Sequence, residues 1–123
     1  MPSTEPRGPK QIYKAFIWSM KVLRAAWRHE ASFRLEAYLV VVFFPLGLWI
    51  GHGAIEKAIL CGSLILVLSA ELLNSAIEAI TDKASPEFHE LAGRAKDMGS
   101  AAELFLMFNV LLCWALILWP RLT

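Results

Sequence analysis

Three polar residues on one helical face are the strongest chemical signal in this chain. Glu71, Asn74 and Glu78 stand at positions i, i+3 and i+7 of a largely apolar segment, so an α-helix places them on one side. An ionisable side chain at mid-membrane costs on the order of 2.5 to 3.5 kcal/mol even on insertion scales, which favours a functional role for the carboxylates. The alternative is that Glu78 is interfacial, Asn74 makes an interhelical hydrogen bond and Glu71 is a protonated packing group.

A second group of candidates lies in the polar stretch 87–100. Lys96, at the mouth of the next apolar segment, could bind polyphosphate oxygens together with the glycines of this stretch. Solvated surface contacts are the competing interpretation, because Glu90 and Arg94 are spaced i, i+4. His89 by itself is more often an interface residue than a ligand.

Two acidic residues stand outside these groups. Glu30 precedes Arg34 by four positions, and this spacing favours a surface ion pair. Glu103 falls two helical turns beyond Lys96, which allows it a partner inside the membrane. The chain contains neither a glycine-rich phosphate loop nor the protein-kinase catalytic set. The residues alone therefore indicate an intramembrane carboxylate site that opens to the cytoplasm.

The elements that must position these residues are membrane helices. Of the 123 residues, 57% are hydrophobic and 19% charged, and the apolar ones form long blocks whose natural solvent is lipid. Cys61 and Cys113 lie inside these blocks and form neither a disulfide framework nor a metal-ligand spacing. The patterning predicts an all-α membrane protein with a membrane domain over 35–123, whose transmembrane helices cover about 35–52, 58–80 and 100–119.

Three other segments complete the predicted organisation. We expect residues 1–9 to be disordered and residues 10–34 to form an amphipathic helix that lies in the membrane interface. Residues 81–99 should form a polar connection, in which Ser85 and Pro86 resemble the start of a short surface helix.

The distribution of basic residues predicts the orientation. Of the 12 Lys and Arg residues, seven precede the first span and three lie in the 81–99 connection, with Lys57 and Arg121 as the exceptions. The positive-inside rule then places the N-terminus and the connection in the cytoplasm and the C-terminus outside. Trp49 and Trp119 fall at the opposite ends of their spans, as an outer aromatic belt requires.

Four sequence runs together resemble the prokaryotic diacylglycerol kinase family. They are LRAAW at 23–27, EASFR at 30–34, ELLNSAIE at 71–78 and HELAGRAKDMGSA at 89–101. The resemblance covers nearly the whole chain after the first ten residues. It implies an inner-membrane homotrimer with active sites shared between protomers, which uses ATP and Mg²⁺ to phosphorylate diacylglycerol to phosphatidic acid.

The resemblance also implies roles for individual residues. Glu71 would take the proton from the lipid hydroxyl, Asn74 would support the site, and Lys96 would neutralise the transferring phosphoryl group. Glu30 and Glu78 would bind the metal. The nucleotide contacts would be Gln11, Trp18, Glu30, Glu78, Glu87, His89, Lys96 and Asp97. The lipid contacts would be Arg24, Trp27, Ser32, Arg34, Glu36, Trp49, Glu71, Ser100 and Trp114.

The sequence departs from the family pattern at a few positions. Gln11 and Trp18 stand where the family often has arginine and tyrosine, and Lys10 and the indole ring are possible substitutes at the nucleotide. The pattern gives no role to Glu103 or Asn109.

Two rival functions stay open at this stage. A kinase of the same fold that acts on undecaprenol would share the site and differ only in apolar contacts with the lipid tail. A small oligomeric ion or proton carrier would use Glu71 to bind the ion, but it gives no reason for Glu30 or for Lys96 beside Asp97. We expect no nucleic-acid partner.

Overall fold

The computed structural model describes residues 8–84 and 90–122, and this part of the chain folds into helices without strands. The helices are α1 (Pro9–His29), α2 (Ala31–Ile50), α3 (Gly53–Ala84) and α4 (Glu90–Leu122). The all-α class is thereby confirmed. The predicted helix start at Ser85 and Pro86, most of the segment 1–9, Glu87 and His89 lie outside the described residues.

The first compact unit covers residues 1–34 and is built on α1. Pro9 opens the helix after Gly8, where a missing backbone N–H costs no hydrogen bond. Exposed Ile12, Phe16 and Met20 follow one another at helical spacing along its surface, as the amphipathic pattern predicts.

The helical pattern predicted over 10–34 divides at Glu30. This residue is extended, with φ −122° and ψ 109°, and its backbone N–H donates to the Ala26 carbonyl at 2.9 Å. The Arg34 guanidinium donates to the carbonyls of Trp27 at 2.8 Å and Arg28 at 3.2 Å. Because these donors satisfy the last carbonyls of α1, the chain can leave the helix there and begin α2 at Ala31. Arg34 therefore caps a helix end.

The second compact unit covers residues 35–123 and contains most of α2 with α3 and α4. A tight turn joins α2 to α3, and Gly53 has a φ of +81°, a conformation that a side chain makes costly. The first span accordingly ends at Ile50.

Within the described part of the chain, three helices are long and apolar enough to cross a membrane, namely Ala31–Ile50, Gly53–Lys83 and Glu90–Leu122. The three predicted spans are thus confirmed by length and composition. Helix α4 is continuous from Glu90, so residues 90–99 of the polar connection and the third span form one rod. A helix of 33 residues is about 50 Å long at 1.5 Å per residue, which exceeds the ~30 Å hydrocarbon core and leaves a turn or more in the headgroup region.

The core of this unit follows one face of α3. Leu60, Leu64 and Val67 are buried there. The Trp114 indole donates to the Leu60 carbonyl at 3.2 Å and meets the Phe43 ring edge-on, with centroids 5.6 Å apart. These contacts join all three spans, while most other large apolar side chains of α2 and α4 face outward, as in a protein whose solvent is lipid.

Candidate active site

Three carboxyl groups, one from each spanning helix, meet inside the second unit. Glu71 on α3 is only 4% exposed, and oxygens of Glu36 on α2 and Glu103 on α4 all lie within 4.8 Å of one another and of Glu71. Three acidic groups this close together repel one another when all are ionised, so the cluster is costly unless protons or hydrogen bonds compensate.

Asn74 connects this cluster to Glu78. Its Nδ2 donates to Glu78 Oε1 at 3.3 Å and to Glu103 Oε2 at 3.3 Å. The predicted face of α3 is therefore a continuous polar row from buried Glu71 to exposed Glu78. This geometry contains the interhelical hydrogen bond that the packing interpretation predicts for Asn74, and it brings the two carboxylates into one network.

The absence of a side chain at Gly99 lets Asn74 pack directly against the backbone of α4. A β-carbon at this buried glycine would lie 2.5 Å from Asn74 Oδ1 and 3.3 Å from Ile77 Cδ1. No side chain fits in that space without displacing Asn74. The close approach of the α4 backbone is thus a requirement of the site.

Lys96 lies on α4 and forms an ion pair with Asp82 near the end of α3. Both side chains are partly exposed, so the ammonium group is accessible to an anion from solvent. Asp97 and Ser100, also on α4, are exposed. This end of the helix pair thus presents a cation paired with Asp82, which lies one helical turn beyond the exposed Glu78.

An apolar groove of about 620 Å³ lies among α2, α3 and α4, with the carboxyl-bearing Glu36 in its wall. The rest of the wall includes Phe43, Val67 and Trp114 and extends to Leu122 near the end of α4. A groove of this size and polarity suits a hydrocarbon chain. One wall residue, Glu36, also belongs to the carboxyl cluster, so the groove adjoins the buried Glu71.

The structure unites only part of the predicted site. Glu71, Asn74, Glu78 and Glu36 are brought together, and Trp114 shares the groove with Glu36. Trp49 lies near the far end of α2 and is 82% exposed, 13 residues or about 20 Å along the helix from Glu36. The predicted contacts of the first unit lie on α1, in the Glu30 connection or at the start of α2; they are Gln11, Trp18, Arg24, Trp27, Glu30, Ser32 and Arg34.

Sequence reasoning gave no site role to Glu103 or Asp82, and it considered Gly99 only as one of the glycines that could hold polyphosphate oxygens. A signal existed for Glu103, because an acidic residue in an apolar span two turns after Lys96 is costly without a partner. Nothing in the sequence signalled the packing of Gly99 against Asn74, since the two residues are 25 positions apart in the chain.

Chemically, the arrangement combines three capabilities. A buried carboxyl, Glu71, can exchange a proton beside an apolar groove. The accessible Glu78 carboxylate can bind a cation, and Lys96 can neutralise an anionic group.

Comparison with known proteins matches the sequence of this chain to a known family. The family model for prokaryotic diacylglycerol kinase matches residues 17–118. The chain is 46% identical over 114 residues to the diacylglycerol kinase of Escherichia coli K12, covering 93% of each chain. It is 41% identical to that of Pseudomonas aeruginosa, covering 90% of each chain, and 39% identical to that of Haemophilus influenzae, covering 90% of this chain and 94% of the relative. The chain belongs to the prokaryotic diacylglycerol kinase family.

Proposed function

We propose that this protein transfers the γ-phosphoryl group of ATP to the hydroxyl of diacylglycerol, yielding phosphatidic acid and ADP. The observation that carries the proposal is a carboxyl on a spanning helix, Glu71, buried beside an apolar groove that can receive a lipid chain. Family membership supports the reaction, and relatives named diacylglycerol kinase favour diacylglycerol over undecaprenol as the acceptor.

Glu71 acts as the general base in this proposal. As the lipid oxygen attacks the γ-phosphorus and the bond to the ADP oxygen breaks, the hydroxyl proton passes to the Glu71 carboxylate. The burial of Glu71 favours this role, because excluding water from the site limits proton transfer between the base and solvent.

The second acidic residue of the row, Glu78, would be a ligand of Mg²⁺, and Glu30 is proposed as another. Mg²⁺ uses one or two carboxylates plus phosphate oxygens and keeps several waters, and the exposed Glu78 carboxylate fits this demand. The Asn74 donor at 3.3 Å holds that carboxylate in place. When bound, the metal neutralises charge on the transferring phosphates.

Lys96 neutralises the remaining phosphoryl charge, with Asp97 beside it. Its ion pair with Asp82 keeps the ammonium at this end of α4 before the nucleotide arrives. The other nucleotide contacts are proposed to be Gln11, Trp18, Glu87 and His89.

The lipid side of the site is assigned to residues that contact the glycerol, the headgroup region or the acyl chains. These are Arg24, Trp27, Ser32, Arg34, Glu36, Trp49, Ser100 and Trp114. The positions of Glu36 and Trp114 in the wall of the groove support this assignment.

The assembly is proposed to be a homotrimer in the bacterial inner membrane, with the N-terminus and the 81–99 connection in the cytoplasm. Cysteines introduced at Lys83 and Ala54, in a background with Cys61 and Cys113 replaced by serine, should label from opposite sides. Both positions are exposed. Labelling of position 83 from outside intact cells would overturn the orientation and the access to ATP.

The activity test uses the purified protein in lipid vesicles with γ-labelled ATP, saturating Mg²⁺ and dioleoylglycerol. Labelled phosphatidate is the expected product, and a parallel assay with undecaprenol measures the preference between the two alcohols. A folded preparation that forms no phosphatidate would refute the proposal. Proton or cation flux without ATP turnover would support the carrier alternative.

A further inference from the structure

We propose that Glu103 is a positioning residue for the phosphoryl transfer, whose carboxyl reaches from α4 to fix the Asn74 amide and the Glu71 carboxyl in their working orientation. This inference rests on the proposed function, because it adds a residue to the same site.

The Asn74 amide donates to carboxyl groups of two different helices. Both neighbours of its Nδ2, Glu78 Oε1 and Glu103 Oε2, lie at 3.3 Å, and each amide hydrogen has one of these acceptors. Glu78 is one turn away on the same helix and can follow Asn74 wherever α3 moves. Glu103 is 29 positions away on α4, so it is the contact that ties the amide to the neighbouring helix.

On its other side the Asn74 amide packs against the backbone of α4 at Gly99. Asn74 Oδ1 faces Gly99, where even a β-carbon would come within 2.5 Å, and this oxygen has no hydrogen-bond partner among the described residues. Turning the amide over would direct that oxygen at two carboxyl groups, which is unfavourable. The Asn74 amide is therefore packed against Gly99 on its Oδ1 side and hydrogen-bonded to Glu103 on its Nδ2 side.

Glu103 also lies beside the proposed base. Carboxyl oxygens of Glu103, Glu71 and Glu36 lie within 4.8 Å of one another, and Glu103 Oε2 accepts from Asn74. The next two residues of α4, Leu104 and Phe105, are 65% and 71% exposed, as lipid-facing residues should be. An acidic group at position 103 is costly in such a helix, and its contacts are with the residues assigned to the reaction.

The experiment compares Glu103→Leu with Glu103→Gln in the vesicle assay, with Asn109→Leu as a matched polar-to-apolar change on the same helix. Glu103→Leu should lower kcat by about 10 to 100-fold, the range for losing one hydrogen bond to a charged group, with little change in KM for MgATP. Glu103→Gln should retain most of the activity, because its carbonyl can accept from Asn74 while its NH2 donates to Glu71. Asn109→Leu should match the wild-type protein.

A double-mutant cycle tests whether Glu103 acts through Asn74. In an Asn74→Ala background, Glu103→Leu should lower kcat by a much smaller factor than it does in the wild-type protein. Glu103→Asp, whose carboxyl is one methylene shorter, gives a second measurement if the leucine variant does not fold, and it should be less active than Glu103→Gln.

The possible failures are distinguishable. An inactive wild-type protein would overturn the proposed function and this inference with it. An active wild-type protein with a fully active Glu103→Leu, equal losses for the leucine and glutamine variants, or full additivity with Asn74→Ala would each overturn the positioning role alone.

Discussion

Near the middle of the α3 and α4 pair three carboxyl groups gather, whereas near one end a cation meets an anion. Arg121 forms an ion pair with Glu56 and donates to the Ile50 carbonyl, and Glu56 accepts from the His52 backbone N–H at 2.9 Å. Eighteen residues of α4 separate Arg121 from Glu103, which is roughly 27 Å at 1.5 Å per residue. We define the first region, Glu36, Glu71 and Glu103, as the carboxyl cluster and the second, Glu56 with Arg121, as the clasp.

The two regions show different uses of charge. In the clasp each group meets its opposite and a helix end gains a capping donor, which is a structural arrangement. In the carboxyl cluster a buried acid lies beside two half-buried ones, which opposes folding unless protons and hydrogen bonds compensate. Departures of this kind from the usual rules of packing are expected at functional sites. The comparison predicts that changes in the cluster alter turnover and changes in the clasp alter stability.

The largest effect should come from Glu71→Gln, which removes the proposed base and keeps the shape of the side chain. Turnover should fall by about 10² to 10⁴-fold, the usual contribution of general base catalysis, while nucleotide affinity stays near its wild-type value. Rates and nucleotide binding are measured in vesicles. The control is Glu56→Gln, the same substitution on the same helix but in the clasp, which should leave turnover near its wild-type value. Near-wild-type turnover of Glu71→Gln would reduce Glu71 to a packing group.

Gly99→Ala should have the next largest effect. The new methyl would lie 2.5 Å from Asn74 Oδ1, so the amide must move and turnover should fall by about 10 to 100-fold. Gly62→Ala is the matched control, because no atom lies within 4 Å of the β-carbon position there. Equal activity of the two variants would show that the Asn74 orientation is unimportant.

Glu78→Gln should change the metal dependence. The amide oxygen can still accept from Asn74 but is a poorer ligand for Mg²⁺. The Mg²⁺ concentration for half-maximal rate should therefore rise by about tenfold, equivalent to the loss of ~1.4 kcal/mol of binding. A Mg²⁺ titration at fixed ATP measures this shift, and an unchanged midpoint would remove Glu78 from the metal site.

The smallest catalytic effect should follow Arg121→Gln in the clasp. This change breaks the ion pair with Glu56 and leaves the carboxyl cluster intact, so turnover should stay within about twofold of wild type. The midpoint of thermal inactivation should fall by a few degrees. A loss of turnover comparable with that of Gly99→Ala would contradict the separation of the two regions.

Much of the fold follows from local patterns. The three spans were predictable because long apolar blocks are a property of neighbouring residues, whereas the interfacial position of the first helix stays a prediction. The break at Glu30 was missed, since it depends on Arg34 reaching back to the end of α1. The continuity of α4 from Glu90 was also missed, because polar residues suggested a boundary at the membrane surface where the helix simply continues.

By itself, the sequence determined that Glu71, Asn74 and Glu78 share one face, because positions i, i+3 and i+7 coincide on any α-helix. Only the tertiary structure decided which groups meet that face. Glu36 and Glu103 join Glu71, and Gly99 closes on Asn74, through the rotation and axial offset of three separate helices. Those quantities are set by the packing of side chains far apart in the chain, at contacts such as Trp114 with Leu60, and no periodicity within one helix contains them.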